Sequence, residues 1–294
     1  MTELARVPPR REEIERRVAV LLEALPYIRD FAGATVVIKY GGAAMTTPEL
    51  KASFARDVAL LKLVGMRPVV VHGGGPDISR YSDRLGLEVR FVHGLRVTDA
   101  STMELVKMVL IGKVNKEIVA QLHVAGVPAV GLSGDDGRLI TAAKEENSGG
   151  ELGFVGRVAR IDPRLLTRLD EFVPVVASVG VGDDGQSYNI NADTVAGALA
   201  GALGARKAIF LTDVEGLYAD VVDPASLISE CDLAALERMI ASGSVSAGMI
   251  PKLRAAGDAL RHGVTAAHIV DGRVPHSVLM ELLTEAGIGT KIVP

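Results

Sequence analysis

Two buried apolar strands, each closed by a glycine turn and joined by one helix, restrict this chain more than any other feature in it. Val36 to Lys39 reads as a short buried strand running into Gly41-Gly42. Thr46, Thr47, Pro48 and Glu49 look like a helix start, and Leu50, Phe54, Val58, Leu61 and Val64 continue it at helical spacing. Pro68 to Val71 is a second buried strand, closed by His72-Gly73-Gly74-Gly75. Strand, glycine turn, helix, strand and glycine turn make a βαβ unit, which predicts parallel pairing with right-handed crossovers. The apolar share is 48% with no Trp, so the core must be Val, Ile, Leu and Ala. Such a core suits buried parallel strands under Ala-rich helices.

The rest of the chain repeats the alternation. Ahead of the first strand, Ile14, Val18, Leu21, Leu22 and Leu25 form one apolar helix face from Glu12 to Leu25, which Pro26 is expected to end or kink. Leu87 to Arg96 reads as a hairpin-like lobe, and Met103 to Leu122 as helix broken near Gly112. Ala129 to Leu132, Leu139 to Ala142, Val155 to Ile161 and Val173 to Val179 read as strands, with a surface turn from Glu145 to Gly150. A boundary is expected near residues 178–190. A second α/β half then follows: helices Ala192 to Leu203, Ala234 to Ile240, Met249 to His262 and Ser277 to Thr284, and strands Ala208 to Thr212, His268 to Val270 and Gly289 to Val293. The 294 residues allow one large α/β domain or two lobes on one sheet.

Composition narrows the function classes. A net charge of −4 without a basic block does not suggest nucleic acid as a partner. The single cysteine, Cys231, excludes an internal disulfide and a Cys-rich metal site, and reads as a bystander. Six histidines show no metal-ligand spacing, so no protein-bound metal is expected. Met1 to Arg17 lacks the apolar stretch of a signal peptide, and no run reaches the ~20 apolar residues of a membrane helix. A cytoplasmic protein is expected.

Three motif matches fail on context. Gly180-Val181-Gly182-Asp183-Asp184-Gly185 fits a dinucleotide fingerprint, but two aspartates occupy the turn and Gln186 to Ile190 reads as strand rather than helix. His72-Gly73-Gly74-Gly75 resembles an esterase oxyanion segment, yet no G-x-S-x-G follows. Gly112-Lys113 lacks the rest of a Walker A loop. What remains is two glycine turns at the ends of neighbouring strands, able either to offer backbone N–H groups to phosphate oxygens or simply to make tight connections. Beside them stand Lys39, closing a Val-Val-Ile run, and Lys252, after Gly248-Met249-Ile250-Pro251. Asn189, Asn191 and Asp193 cluster at a helix start, where Asn191 also suits an N-cap. Arg96 can hold a carboxylate bidentately or sit in solvent. His72 reads as a turn-stabilising residue.

Six segments, in order, resemble the acetylglutamate kinases of the amino-acid kinase family: Ile38-Lys39-Tyr40-Gly41-Gly42, His72-Gly73-Gly74-Gly75-Pro76, Gly94-Leu95-Arg96-Val97-Thr98, Asn189-Ile190-Asn191-Ala192-Asp193, Leu211-Thr212-Asp213-Val214-Glu215-Gly216 and Gly248-Met249-Ile250-Pro251-Lys252. The resemblance runs from about residue 27 to the C-terminus. It implies a three-layer α/β/α sandwich on a mainly parallel sheet of about eight strands. It also implies transfer of the ATP γ-phosphoryl group to the side-chain carboxylate of N-acetyl-L-glutamate. By resemblance, Lys39 and Lys252 flank that group, Asp193 orients both, and the amides of Gly42 and Gly74 assist. Arg96, Gly74, Gly75, Asn189 and Asn191 would bind the acceptor. Gly41, Gly42, Thr212, Asp213, Gly216, Leu217, Tyr218 and Lys252 would bind ATP, with Mg²⁺ held mainly by the nucleotide phosphates.

The resemblance extends to arginine-inhibited members of the family. They carry a helix ahead of the first strand that interlaces dimers into a hexamer, and they bind L-arginine. Here the matching positions are Lys207, His268, Glu281, Gly287 and Gly289. The implied organisation is an oligomerisation helix at 1–30, an acceptor-binding and dimer-forming lobe at 31–185, and an ATP-binding lobe with the arginine site at 186–294. Two rivals stand: a sister kinase for acetylaminoadipate or another small carboxylate, and a catalytically silent amino-acid sensor, against which intact Lys39, Asp193 and Lys252 argue.

Overall fold

The structure, a computed structural model, describes residues 11–146, 150–220, 222–246, 248–285 and 287–294. The readings of residues 1–10 and of the centre of the Glu145 to Gly150 turn lie outside them. The first half holds α1 (Arg11–Phe31), β1 (Thr35–Tyr40), α2 (Pro48–Leu63), β2 (Arg67–His72), α3 (Gly75–Leu85) and the hairpin β3 (Phe91–Val92) and β4 (Leu95–Arg96). It continues through α4 (Ala100–Lys107), α5 (Asn115–Val124), β5 (Ala129–Leu132), β6 (Ile140–Lys144), β7 (Val155–Ile161), β8 (Val173–Ala177), β9 (Val179–Val181) and β10 (Ser187–Ile190). The second half holds α6 (Ala192–Ala202), β11 (Lys207–Thr212), β12 (Leu217–Tyr218), β13 (Leu227–Ile228) and β14 (Glu230–Asp232). It closes with α7 (Leu233–Ser242), α8 (Ile250–Arg261), β15 (Ala266–Asp271), α9 (Ser277–Leu283) and β16 (Thr290–Val293).

Eight strands form one sheet in the order β14-β16-β15-β11-β1-β2-β8-β5. Every neighbouring pair is parallel except β15 with β16. The expected parallel pairing of the first two strands runs from Thr35↔Arg67 to Tyr40↔His72. Strands from both sides of residue 185 share this sheet, with β1 beside β11. Because side chains alternate along a strand, the sheet has two apolar faces. Val36, Ile38 and Tyr40 face the layer holding α2, α4 and α5, and Val37 faces the layer holding α6, α7 and α8. That is the expected three-layer sandwich.

Four readings are refined. Val173 to Val179 is two strands: Ser178 N–H makes a last bond to His72 O, and the chain then leaves the sheet for a small closed barrel of β10, β7, β6 and β9. The break near Gly112 is a π-helical segment, Met108–Val114, joining α4 to α5. Pro26 does not end α1, which continues to Phe31. The carbonyl that Pro26 leaves unpaired belongs to Leu22, which is exposed, so water can satisfy it. The dinucleotide-like run at 180–185 is the turn of the β9–β10 hairpin, with no helix to receive a pyrophosphate.

Candidate active site

The parallel strands β1, β2, β8, β11 and β15 end on one edge, at Tyr40, His72, Ala177, Thr212 and Asp271. The alternation that sends Ile38 and Tyr40 to one face sends Lys39 to the other, where α6 and α8 pack. Asn191 caps α6: its Oδ1 accepts from the N–H of Asp193 at 2.8 Å and of Thr194 at 3.2 Å. The cap puts Asp193 in the first turn, buried, with Oδ1 3.1 Å from Lys39 Nζ and Oδ2 3.8 Å from Lys252 Nζ. Pro251 opens α8 and sets Lys252 in its first turn, as pre-organised φ favours there. One buried carboxylate thus holds two ammonium groups and leaves one positive charge in excess, a centre that attracts anions.

The glycine turns adjoin it. Gly42 has φ +57°, a left-handed conformation that favours glycine. Gly74 is constrained differently, since a Cβ there would lie 2.6 Å from Leu110 Cδ2 and 3.2 Å from Val114 Cγ2 of the π-helical segment. Gly73, Gly74 and Gly75 line a cavity of about 430 Å³ with Arg96, Asn189 and Asn191. Arg96 is buried, donates to Gly75 O at 3.2 Å and Ser79 Oγ at 2.7 Å, and lies 4.7 Å above the Phe91 ring. Burial lowers its pKa, but arginine stays charged. Asn189 Nδ2 donates to Thr98 Oγ1 at 3.2 Å, and that hydroxyl donates to Arg96 O at 2.8 Å. One chain of bonds therefore holds Arg96, Thr98 and Asn189 together.

Beneath the second turn lies a network the sequence did not reveal. His72 is fully buried, with Nδ1 2.9 Å from Gly73 O and Nε2 3.0 Å from Asn115 Nδ2. Asn115 Nδ2 also donates to Val175 O at 2.8 Å. Burial drives the His72 pKa down to about 4, so the ring is neutral near pH 7. Nothing in the helical run around Asn115 marks it out; its neighbours in space come from β2 and β8. Ser79 and Phe91, which hold Arg96, were equally unmarked.

Of the residues read as nucleotide contacts, Thr212 and Asp213 stand at the end of β11, where Thr212 Oγ1 donates to Asp213 Oδ1 at 3.1 Å. Gly216 packs against Thr290, whose Oγ1 a Cβ there would meet at 2.5 Å. That oxygen accepts from Leu217 N–H at 2.8 Å, and the Tyr218 hydroxyl donates to Glu215 at 2.7 Å. Thr212 and Asp213 end the strand next to that of Lys39 across the β1–β11 pair, whereas Gly216 and Leu217 sit at Thr290 of β16, three strands from β1 in the sheet order.

A second cavity, of about 370 Å³, gathers Lys207, His268, Glu281 and Gly287 with Tyr27 and Phe31 of α1. Lys207 Nζ donates to His268 Nε2 at 2.9 Å, and His268 Nδ1 donates to Glu281 Oε1 at 2.5 Å. Glu281 Oε2 accepts from the N–H of Ile288 at 2.8 Å and Gly289 at 3.0 Å. Burial opposes ionisation of Glu281, but His268 and those amides outweigh it and hold its carboxyl below the usual range. Burial, with Lys291 nearby, pushes Lys207 down to about 8. All five sequence-predicted residues meet here, Gly289 through its amide.

The model of the amino acid kinase family matches residues 34–271. This chain belongs to the amino acid kinase family. As a member, it is 55% identical over 285 residues to the acetylglutamate kinase of Symbiobacterium thermophilum, covering 94% of this chain and 97% of that protein. It is 55% identical over 278 residues to the chloroplastic acetylglutamate kinase of Arabidopsis thaliana, covering 94% of this chain and 80% of that one. Among solved structures it resembles N-acetylglutamate synthase from Neisseria gonorrhoeae. With coenzyme A and N-acetyl-glutamate, that protein is 26% identical with a TM-score of 0.83, over 94% of this chain and 63% of the synthase chain. With coenzyme A and L-arginine, the values are 25%, 0.79, 94% and 65%. The family chain thus spans under two thirds of the synthase's length. Among its described residues no helix is long and apolar enough to cross a membrane.

Proposed function

We propose that this kinase transfers the ATP γ-phosphoryl group to the γ-carboxylate of N-acetyl-L-glutamate, giving N-acetyl-L-glutamyl 5-phosphate, an early step of arginine biosynthesis. The observation that carries it is Asp193 between Lys39 and Lys252, beside a glycine-lined cavity with Arg96 in its wall. The acceptor carboxyl has a solution pKa of about 4.3 and is already ionised near pH 7, so no general base is needed. The barrier is electrostatic: an anion must approach a phosphate, and charge must spread over the group in flight. Lys39 and Lys252 lie on that charge, Asp193 keeps both ammonium groups in register, and the amides of Gly42 and Gly74 add fixed donors. Arg96 takes the acceptor's α-carboxylate, with Gly75, Asn189 and Asn191 completing the pocket. Gly41, Thr212, Asp213, Gly216, Leu217 and Tyr218 form the nucleotide side.

No three His, Cys, Asp or Glu side chains gather to hold a metal among the described residues. In this reading Mg²⁺ enters with ATP, on phosphate and water oxygens, where it neutralises charge. An ADP-release assay with acetylglutamate, glutamate, aspartate and acetylaminoadipate side by side tests the assignment. Acetylglutamate should give the highest kcat/KM, and a preference for another acceptor would reject it.

The same reading places the enzyme in the cytoplasm, with the acceptor lobe at 31–185 and the ATP lobe at 186–294. It makes the cavity around Glu281 an L-arginine inhibition site, supported by its carboxylate and buried polar lining. The same reading assigns the segment 1–30, of which α1 is described, to joining dimers into a hexamer. Supporting this, Leu21, Leu22 and Leu25 of α1 are 70%, 61% and 54% exposed, an apolar stripe left uncovered by the described residues.

A further inference from the structure

We infer that His72 is a positioning residue for phosphoryl transfer: by holding the Gly73 carbonyl, its Nδ1–H aims the Gly74 N–H at the reacting carboxylate. The inference rests on the kinase reading above. A peptide unit is planar, and in the trans form its C=O and N–H point opposite ways. No peptide bond among the described residues is cis, so fixing Gly73 O fixes the direction of Gly74 N–H. Something must fix it, because glycines leave this peptide unusually free to turn. Its flanking anchors are Gly73 N–H on Tyr40 O, long at 3.4 Å, and Gly74 O accepting from Ile78 N–H at 2.9 Å. Neither touches the Gly73 carbonyl. Among the described residues only His72 does. The opposite end of the same unit, Gly74 N–H, has no protein acceptor there and belongs to a cavity-lining residue.

The arrangement requires one tautomer, and Asn115 selects it. The carbonyls of Val175 and Leu132 lie 2.8 and 3.4 Å from Asn115 Nδ2, so the amide nitrogen must occupy that place. It also meets His72 Nε2, which therefore accepts, leaving the proton on Nδ1. Asn115 is fully buried, and its Oδ1 fills the space that a Cβ on Gly131 would take, 1.8 Å from that position, so the amide is packed against the β5 backbone. Burial keeps the ring uncharged, which preserves the acceptor at Nε2.

The test uses two amide side chains of different reach. His72→Asn sets an N–H where Nδ1–H stood; His72→Gln sets an amide oxygen where Nε2 accepted and leaves no donor at the place of Nδ1–H. Rates are measured on the full chain with ATP and acetylglutamate, with thermal unfolding alongside. His72→Asn should keep kcat within about fivefold of wild type, while His72→Gln should lose about tenfold or more with ATP KM little changed, because only an oriented donor lowers the barrier. Equal kcat for the two variants, or losses that merely follow folded fraction, would overturn the inference. Should neither fold, Asn115→Leu removes the tautomer lock and leaves the ring in place. A kcat drop of about tenfold at unchanged ATP KM supports the inference, and unchanged kcat overturns it. A wild-type enzyme inactive on acetylglutamate would instead reject the kinase reading, which keeps the two failures apart.

Discussion

At the scale of single residues, charge decides. Lys39→Ala and Lys252→Ala should each reduce kcat by on the order of a hundredfold, with smaller KM changes, because both act on charge that develops during transfer. Steady-state kinetics retaining more than a third of wild-type kcat would remove the role. Arg96→Lys keeps a charge but loses the fork, so the KM for acetylglutamate should rise far more than that for ATP. His72 predicts a pH effect on stability. Unfolded, it takes up a proton near 6.5, whereas the folded ring resists until about 4. A depressed folded value gives stability that is complete above 6.5 and is lost as pH falls through that interval. At about 1.4 kcal/mol per unit, the loss totals on the order of 3 kcal/mol. Denaturant midpoints at both ends of the window should show that loss in wild type and a flatter profile in His72→Asn. Lys39 was legible because a lysine ending a Val-Val-Ile run has no packing reason to be there. Asn115 was not, since its partners lie 43 and 60 residues away and no local pattern records them.

Among elements, the π-helical segment is the one with a functional consequence. A straight α-helix from Ala100 to Val124 would follow a single register, whereas the wider turn at Met108–Val114 resets it and sets Leu110 and Val114 against Gly74. Leu110 lines the glycine-walled cavity proposed for the acceptor. Leu110→Ala removes more than the one methylene by which acetylaminoadipate exceeds acetylglutamate. The ratio of their kcat/KM values should shift toward the longer acceptor by about tenfold. That ratio does not depend on how much enzyme is folded, and an unchanged ratio would clear Leu110 of the role. The sequence showed the break at Gly112 but not its kind, since glycine weakens a helix without saying how it re-forms. Likewise, the apolar run through Val179, interrupted only by the small residue Ser178, concealed the exit there, because barrel and sheet interiors are both apolar. The α2 helix was readable because burial on one face dictates its apolar spacing, and β1 and β2 because burial on both faces makes each a continuous apolar run.

For the whole molecule, the proposed assembly and regulation turn on α1. Removing residues 1–26 should leave an active enzyme of lower oligomeric state with weak or absent arginine inhibition, read by light scattering and arginine titration. Glu281→Ala should spare catalysis and assembly while abolishing the arginine response; in wild type that response should be cooperative, because equivalent sites bias one shared equilibrium. A wild-type dimer indifferent to millimolar arginine would remove this part and leave the chemistry standing. The shared sheet bears on motion. From Val36↔Lys207 to Lys39↔Phe210, β1 and β11 are rungs of one ladder, so the proposed acceptor and nucleotide sides have no hinge between them there. They behave as two leaves of one twisted spring. Any approach of the two leaves would have to bend this ladder, so its cost would rise smoothly with displacement. The amides of Val37, Ile38, Ala208 and Ile209 should accordingly stay shielded from deuterium whether or not nucleotide is bound.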